Sequence, residues 1–341
     1  MAYEKWIDIA KGIGIFLVIV GHSHCPPFLQ TIIYSFHMPL FFFLSGYTFH
    51  YDKYKVNKSA FVINKFYRLV VPYFFANFLI LLILSLKDSL TMNPLKMPIP
   101  VTRSLIGIAY GNGAPLNPPS IFANMVDVPT WFLLCLFCAY LLFYLVAAFH
   151  EKYGLTLSYI VVFLTAYVGF AISKFIYLPW GIDIAFISMI FMFTAYIMNH
   201  YAAINTKSKV IPEYFSWFLL LFISISLNGR VDMNLRNYSN LFLFVIGGLS
   251  GTFIMIGLAK ELSRYTNVFT EMSEYLGKKS LVILCYHLFT PIFILNSIPF
   301  IHIREIVSNS LFLSTLNILV FSLFTVVLFK KIPFFRRIHS I

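Results

Sequence analysis

Long apolar segments are the feature that most constrains how this 341-residue chain can fold. A helix needs about 20 mostly apolar residues to cross a bilayer, and about ten segments of that kind occur. They cover about residues 6–25, 29–49, 67–87, 129–149, 155–175, 181–199, 213–228, 239–259, 279–299 and 308–329. The seventh is the shortest. The pattern predicts an all-α polytopic membrane protein with about ten transmembrane helices.

The composition excludes a soluble domain. Hydrophobic residues make up 60% of the chain and charged residues 11%, whereas soluble domains carry about 25% charged residues. The net charge of +12 is not gathered into a solvated basic domain, so we expect no nucleic-acid partner. All four cysteines lie in or beside apolar segments, which predicts neither a disulfide framework nor a metal site.

Lysine and arginine residues predict the orientation, because cytoplasmic connections of membrane proteins are enriched in them. An N-in/C-in topology puts most of them inside: Lys5, Lys53, Lys55, Lys58, Lys65, Arg68, Lys152, Lys207, Lys209, Lys260, Arg264, Lys278, Lys279, Lys330, Lys331, Arg336 and Arg337. The outside connections keep far fewer. This basic face also suits anionic membrane lipids as partners.

The chain is predicted to form a single integral-membrane domain, residues 1–341, since neither repeats nor linkers interrupt it. The longest connection, about residues 88–128, falls outside the membrane and contains GNGAPLNPPS, so we expect it to be irregular. It either caps an outward-facing pocket or is a surface excursion. About a dozen residues follow the tenth segment, so no soluble C-terminal domain is expected.

Ionisable side chains inside membrane segments are costly, and they usually face a bundle interior or a wet cavity. Here they are Asp8, Lys11, His22, His24, His37, Asp183 and His287. Each alone is as easily a structural polar group as a functional one. Their concentration on the first two segments favours a site there.

The first segment arranges three of these groups in a useful way. Lys11 and His22 are eleven positions apart, which is three helical turns plus about 20°, so both lie on one face about 16 Å apart. Asp8 precedes Lys11 by three positions, within pairing distance. His24 lies about 200° around the helix from His22, so the two histidines are not a matched metal pair.

A lysine and a histidine at this separation suit a long anionic acyl donor such as coenzyme A thioester. Lysine can bind phosphates at one end, and a neutral histidine can deprotonate a hydroxyl or carry an acyl group at the other. Lys65 and Arg68, at the start of the third segment, either bind phosphates beside Lys11 or only anchor the helix at the interface. In the second segment Pro39 predicts either a kink or an unpaired carbonyl, and Ser45-Gly46 predicts a close helix contact.

Four features in order resemble the integral-membrane acyltransferase 3 family: Lys11-x10-His22, FFFLSG at 41–46, Lys65/Arg68 before VPY, and TWFL at 130–133. The opening WIDIAKGIGIFLVIVGH together with SFHMPLFFFLSGY is most similar to the fucose-4-O-acetylase-like branch. The resemblance implies transfer of an acetyl group from cytosolic acetyl-CoA, as cosubstrate, to a hydroxyl of a sugar or other acceptor. No metal is implied.

The resemblance also implies roles for residues. His22 matches the catalytic histidine, and Lys11 matches a basic partner that is more usually arginine. From its spacing alone, Asp8 is expected to orient Lys11 and is counted with His22 as catalytic. Lys65 and Arg68 match a basic pair that binds CoA phosphates. Ser45 and Trp131 match signature positions, and His287 falls where many members carry a late histidine. Together with the intramembrane His37, they are expected to line the substrate cavity.

The sequence therefore predicts an O-acetyltransferase of a cell-envelope glycan or its lipid-linked precursor, in a bacterial inner membrane. A secondary transporter or flippase for a sugar or anionic substrate is the alternative, because intramembrane histidines also serve as proton relays. The chain has no visible inverted repeat, which counts against a transporter. A membrane sensor or scaffold leaves the Lys11–His22 pair unexplained.

Overall fold

The computed structural model describes residues 4–91, 100–113, 122–124, 126–202, 210–289, 306–307 and 309–339, and these residues form helices without a β-strand. In chain order the helices are α1 (Lys5–His22), α2 (Pro27–Tyr47), α3 (Tyr51–Tyr54), α4 (Lys58–Lys65), α5 (Val71–Thr91), α6 (Val101–Tyr110), α7 (Trp131–Ser173), α8 (Ile182–Ala202), α9 (Val210–Asn228), α10 (Leu241–Leu262), α11 (Val268–Lys278), α12 (Ser280–Tyr286), α13 (Leu311–Lys331) and α14 (Pro333–Ile338).

Six helices of the described chain are long and apolar enough to cross a membrane. One of them, Val128–Ser173, has 46 residues, about twice the length that one crossing needs. Its backbone leaves helical geometry at Gly154, with φ of 80°, between the fourth and fifth predicted segments. The all-α membrane class is confirmed, while ten spans and the N-in/C-in orientation stay predictions. The ninth segment leaves the described residues at 290.

Two predicted boundaries were wrong. The third segment begins at Lys58, where the Asn57 side chain accepts a hydrogen bond from the Ala60 N–H, rather than near residue 67. The connection at 88–128 is not wholly irregular: α5 continues to Thr91, and α6 packs against it. Most of the GNGAPLNPPS stretch lies outside the described residues.

Close approaches at glycine hold the bundle together around α2, which contacts α1, α8 and α10. Gly46 lies directly against the Met192 backbone of α8, so an added Cβ would clash there, as the predicted small-residue contact requires. In the same way Gly12 of α1 and Gly277 of α11 bring two backbones together. Helix α2 continues through Pro39 without ending.

A buried ion pair ties the loop between α9 and α10 to the start of α8. The Arg236 Nε donates to Asp183 Oδ2 at 2.8 Å, and its Nη2 donates to Asp183 Oδ1 at 3.3 Å. A third bond runs from Arg236 Nη1 to Asn112 Oδ1 at 2.7 Å. Asp183, which the sequence marked as an ionisable group in a membrane segment, is therefore part of the scaffold.

Candidate active site

Helix α1 presents its ionisable residues as the helical spacing predicts. Lys11 Nζ lies 3.3 Å from Asp8 Oδ1, so the expected pair forms. The two side chains are partly buried and line a cavity of about 680 Å³. Volumes of this size are typical of small-molecule sites.

The cavity brings together the three predicted cationic residues from separate parts of the fold. Lys11 comes from α1, Lys65 ends α4, and Arg68 lies in a π-helical segment, Phe66–Val70, that joins α4 to α5. Such π-helical turns occur often at functional sites. Lys53 and Lys278 also line the cavity, so this end carries five cationic side chains. Such a cluster of positive charge attracts anions into the cavity.

Tyr140 of α7 belongs to this wall, although the sequence did not single it out. Lys65 Nζ lies 3.4 Å from the centre of the Tyr140 ring, and the Tyr140 hydroxyl interacts with Ser45. Ser45 also lines this cavity. No pattern in the sequence distinguishes this tyrosine from the other aromatic residues in the apolar run of α7.

Away from the cations the cavity wall becomes apolar. It consists there of Ile15, Met38, Phe41, Phe132, Leu133, Leu136 and Leu284. Ile15 precedes His22 by two helical turns, about 10 Å along α1. The wall ends before His22, so the cavity points along α1 toward that histidine without including it.

His22 lies in a cluster of rings at the far end of α1. Its ring centre is 5.2 Å from that of His287 and 6.3 Å from that of Tyr34. Tyr34 in turn lies 4.9 Å from His37. The His22 side chain is exposed, whereas His37 and His287 are buried. The fold therefore places His22 and His37 on Tyr34, and His287 against His22.

The two buried histidines are held by their own helices. His37 Nδ1 donates to the Ile33 carbonyl at 2.8 Å. His287 Nδ1 lies 3.1 Å from the Ile283 carbonyl and 3.0 Å from that of Leu284. Because carbonyls only accept, both Nδ1 atoms carry the hydrogen, so in the neutral rings both Nε2 atoms bear a lone pair.

Three predicted cavity residues do not line the cavity in the structure: His37, Trp131 and His287. Trp131 is buried at the first position of α7, beside Phe132, which does line it. His24 is exposed, and its backbone N–H donates to Ser314 Oγ. The catalytic and binding roles of all these residues stay predictions.

A family model, described as an acyltransferase domain of the acyltransferase 3 type, matches residues 4–330. The chain belongs to the acyltransferase 3 family. Comparison with curated proteins and with solved structures gives no significant match. Together with its apolar helices, the family assignment identifies a multi-pass membrane acyltransferase.

The acyltransferase 3 match covers the ring cluster and every residue that lines the cavity except His339. It includes α1, the basic pair at Lys65 and Arg68, and His287. The match does not specify a branch, so the fucose-4-O-acetylase-like assignment stays a prediction.

Proposed function

We propose that the protein transfers an acetyl group from cytosolic acetyl-CoA to a hydroxyl of a cell-envelope glycan or its lipid-linked precursor. The observation that supports the proposal is how charged and apolar side chains are distributed along one cavity. Cations surround one end, apolar side chains form the other, and the axis of α1 continues from it to His22. Coenzyme A thioesters have the same order of chemistry: phosphates, a flexible arm, then the acyl group.

The phosphate end of the donor would be bound by Lys11, Lys65 and Arg68. Arginine can bind a phosphate through two parallel N–H groups, while the lysines act as point charges. Asp8 orients Lys11 through the pair at 3.3 Å. Ser45 and Tyr140 supply hydroxyl groups on the same wall.

The acyl end would extend past Ile15 toward His22. As a base, His22 removes the proton of the acceptor hydroxyl while the oxygen attacks the acyl carbon. The carbon–sulfur bond then breaks, and the proton passes from His22 to the departing thiolate, giving an ester and free CoA. Alternatively, His22 takes the acyl group first and passes it to the hydroxyl.

The cationic end of the cavity would face the cytosol of a bacterial cell, in its inner membrane. Basic residues from two connections predicted to be inside line that end of the cavity: Lys53 and Lys65 from one, and Lys278 from the other. This supports placing both connections on the same side of the membrane, as the N-in/C-in topology requires, because an odd number of crossings between them would separate them.

The test is acetylation of envelope glycan in cells that express the protein, read by mass spectrometry as O-acetyl groups. We expect wild type to add acetyl groups and His22→Ala to add none. The matched control is His24→Ala, which removes an exposed imidazole two residues away but keeps the backbone bond to Ser314. That variant should remain active.

Three outcomes would contradict parts of the proposal. Acetylation that persists in His22→Ala at equal protein level removes His22 from catalysis. A wild type that releases no CoA from acetyl-CoA excludes this donor. A wild type that adds no acyl group but moves a labelled sugar across membrane vesicles is a transporter instead.

A further inference from the structure

His287 has an unsatisfied acceptor in the interior of the protein. Its side chain is fully buried, and its Nδ1–H is held by the carbonyls of Ile283 and Leu284. The opposite nitrogen, Nε2, has no hydrogen-bond partner among the described residues. Buried polar atoms are nearly always paired, so a lone pair left open in this way needs an explanation.

The described ring that lies against His287 is His22, with ring centres 5.2 Å apart and planes tilted by 49°. At this separation, two imidazole edges turned toward each other bring nitrogen atoms to about 3 Å, which is hydrogen-bond distance. The His22 nitrogens have no hydrogen-bond partner within the described chain. Rotation of the exposed His22 ring is therefore not opposed by an existing bond.

We propose that His287 is a positioning residue for His22: its Nε2 accepts a hydrogen bond from one His22 nitrogen and thereby sets the tautomer of His22. This inference rests on the proposed function of His22. Because His287 Nδ1 is held by two carbonyls, its Nε2 can only accept, so the facing His22 nitrogen must carry the hydrogen. The other His22 nitrogen then bears the lone pair that reacts.

In this arrangement each proton of the reaction is bound to a specific nitrogen of His22. The acceptor hydroxyl proton moves to the free His22 nitrogen as the new carbon–oxygen bond forms and the carbon–sulfur bond breaks. The resulting imidazolium keeps its hydrogen bond to His287 until it returns the proton to the CoA thiolate. A neutral histidine thus performs the orienting task that a carboxylate performs in a Ser-His-Asp triad.

The anchor of His287 also connects this pair to the donor cavity. Leu284 lines the apolar end of the cavity, and its carbonyl is one of the two that hold His287 Nδ1. One turn of α12 therefore forms the end of the cavity wall on one side and positions the imidazole on the other. His287 acts at the reacting end of the donor, far from the cations.

The experiment measures kcat and KM for acetyl-CoA with purified protein in lipid nanodiscs, comparing wild type with His287→Leu and His287→Gln. We expect His287→Leu to lower kcat by about 100-fold with KM unchanged, the usual scale for a misplaced general base. His287→Gln offers an amide oxygen as acceptor and should recover part of the loss. Cys285→Ala, a buried neighbour on the same helix, is the control for packing and should retain kcat.

The outcomes separate this inference from the proposed function. If wild type transfers no acetyl group, the proposed function fails first. If wild type is active and His22→Ala is inactive, but His287→Leu keeps wild-type kcat, only the role of His287 is overturned. Equal losses in His287→Leu, His287→Gln and Cys285→Ala indicate a packing role, which also overturns it. If His287→Leu does not fold, His287→Asn, whose amide is too short to reach His22, replaces it.

Discussion

Arg236 and the cations of the cavity differ in how far the protein's own carboxylates neutralise them. Arg236 is buried, and its guanidinium is matched by both oxygens of Asp183 and by Asn112. The cavity instead gathers five cationic side chains, and Asp8 is the single carboxylate among the described residues that line it. Both groups join distant parts of the chain, but they differ in net charge. In the cavity Lys11 pairs with Asp8 and Lys278 with Glu274, and the five cations still keep an excess of positive charge.

The difference separates a structural charge from a binding charge. A buried ion pair that satisfies its own hydrogen bonds leaves nothing for a ligand. A cluster with an excess of one sign around a cavity attracts an ion of the opposite sign. Arg236 therefore belongs to the scaffold, whereas the role we propose for the cavity cations is to bind an anion. Substitutions at the two places should affect different measurements.

The largest effect is expected for Asp183→Ala, which leaves the Arg236 charge buried without its carboxylate. Removing one partner of a buried pair lowers the free energy of unfolding by about 3–5 kcal/mol. The measurement is the thermal unfolding midpoint of detergent-purified protein. Replacing both partners, Asp183→Leu with Arg236→Met, should restore much of the midpoint. An unchanged midpoint in Asp183→Ala would remove this pair from the scaffold.

The cavity cations should affect donor binding and not folding. We expect Lys65→Ala and Arg68→Ala each to raise KM for acetyl-CoA by about 10- to 100-fold, equivalent to about 1.5–3 kcal/mol for a charged hydrogen bond. The unfolding midpoint should stay near that of wild type, because both side chains border open space. If the midpoint falls and KM does not change, these cations are scaffold like Arg236.

A smaller effect on stability is expected at the helix contact beside the cavity. In Gly277→Ala the new Cβ would clash with the backbone carbonyl of Asp8, and overpacking of this kind costs about 1–3 kcal/mol. Because Asp8 orients Lys11, KM for acetyl-CoA should rise as well. In the control Gly14→Ala, the nearest atoms belong to the Phe41 side chain, which can move. Equal losses in both variants would exclude a specific role for this contact.

The smallest effect is expected at an exposed cation of the same end. Lys55 pairs with Asp52 at 2.6 Å and Glu151 at 3.3 Å, outside the cavity. Exposed pairs contribute little, so Lys55→Ala should leave both the unfolding midpoint and KM within experimental error. A rise in KM comparable to that of Lys65→Ala would mean that net charge, and not position in the cavity, binds the donor.

Much of the fold was predictable because the length of an apolar segment and its low charge predict a membrane helix from neighbouring residues alone. Hydropathy located the helices to within a few residues in most cases. It misplaced the start of the third because α4 is polar at its first turns and is begun by an Asn57 cap. Hydropathy also missed α6, which is too short to cross a membrane but amphipathic enough to pack on α5.

The candidate site was predictable where its residues share one helix. The Asp8–Lys11 pair follows from a separation of three positions, and the common face of Lys11 and His22 from a separation of eleven. Tyr140 was missed, and His37, Trp131 and His287 were predicted to line a cavity whose wall does not include them. These positions depend on how helices far apart in the sequence pack together.

The sequence by itself determined that this protein lies in a membrane, where its helices are, and how far apart Lys11 and His22 are on α1. All three follow from side-chain chemistry within about 20 neighbouring residues. Only the tertiary structure decided which charges pair with each other and which cations come together around one cavity. It paired Asp183 with Arg236, gathered the cations around one cavity and set His287 against His22. Such contacts depend on how distant helices pack together, and local periodicity in the sequence does not predict that packing.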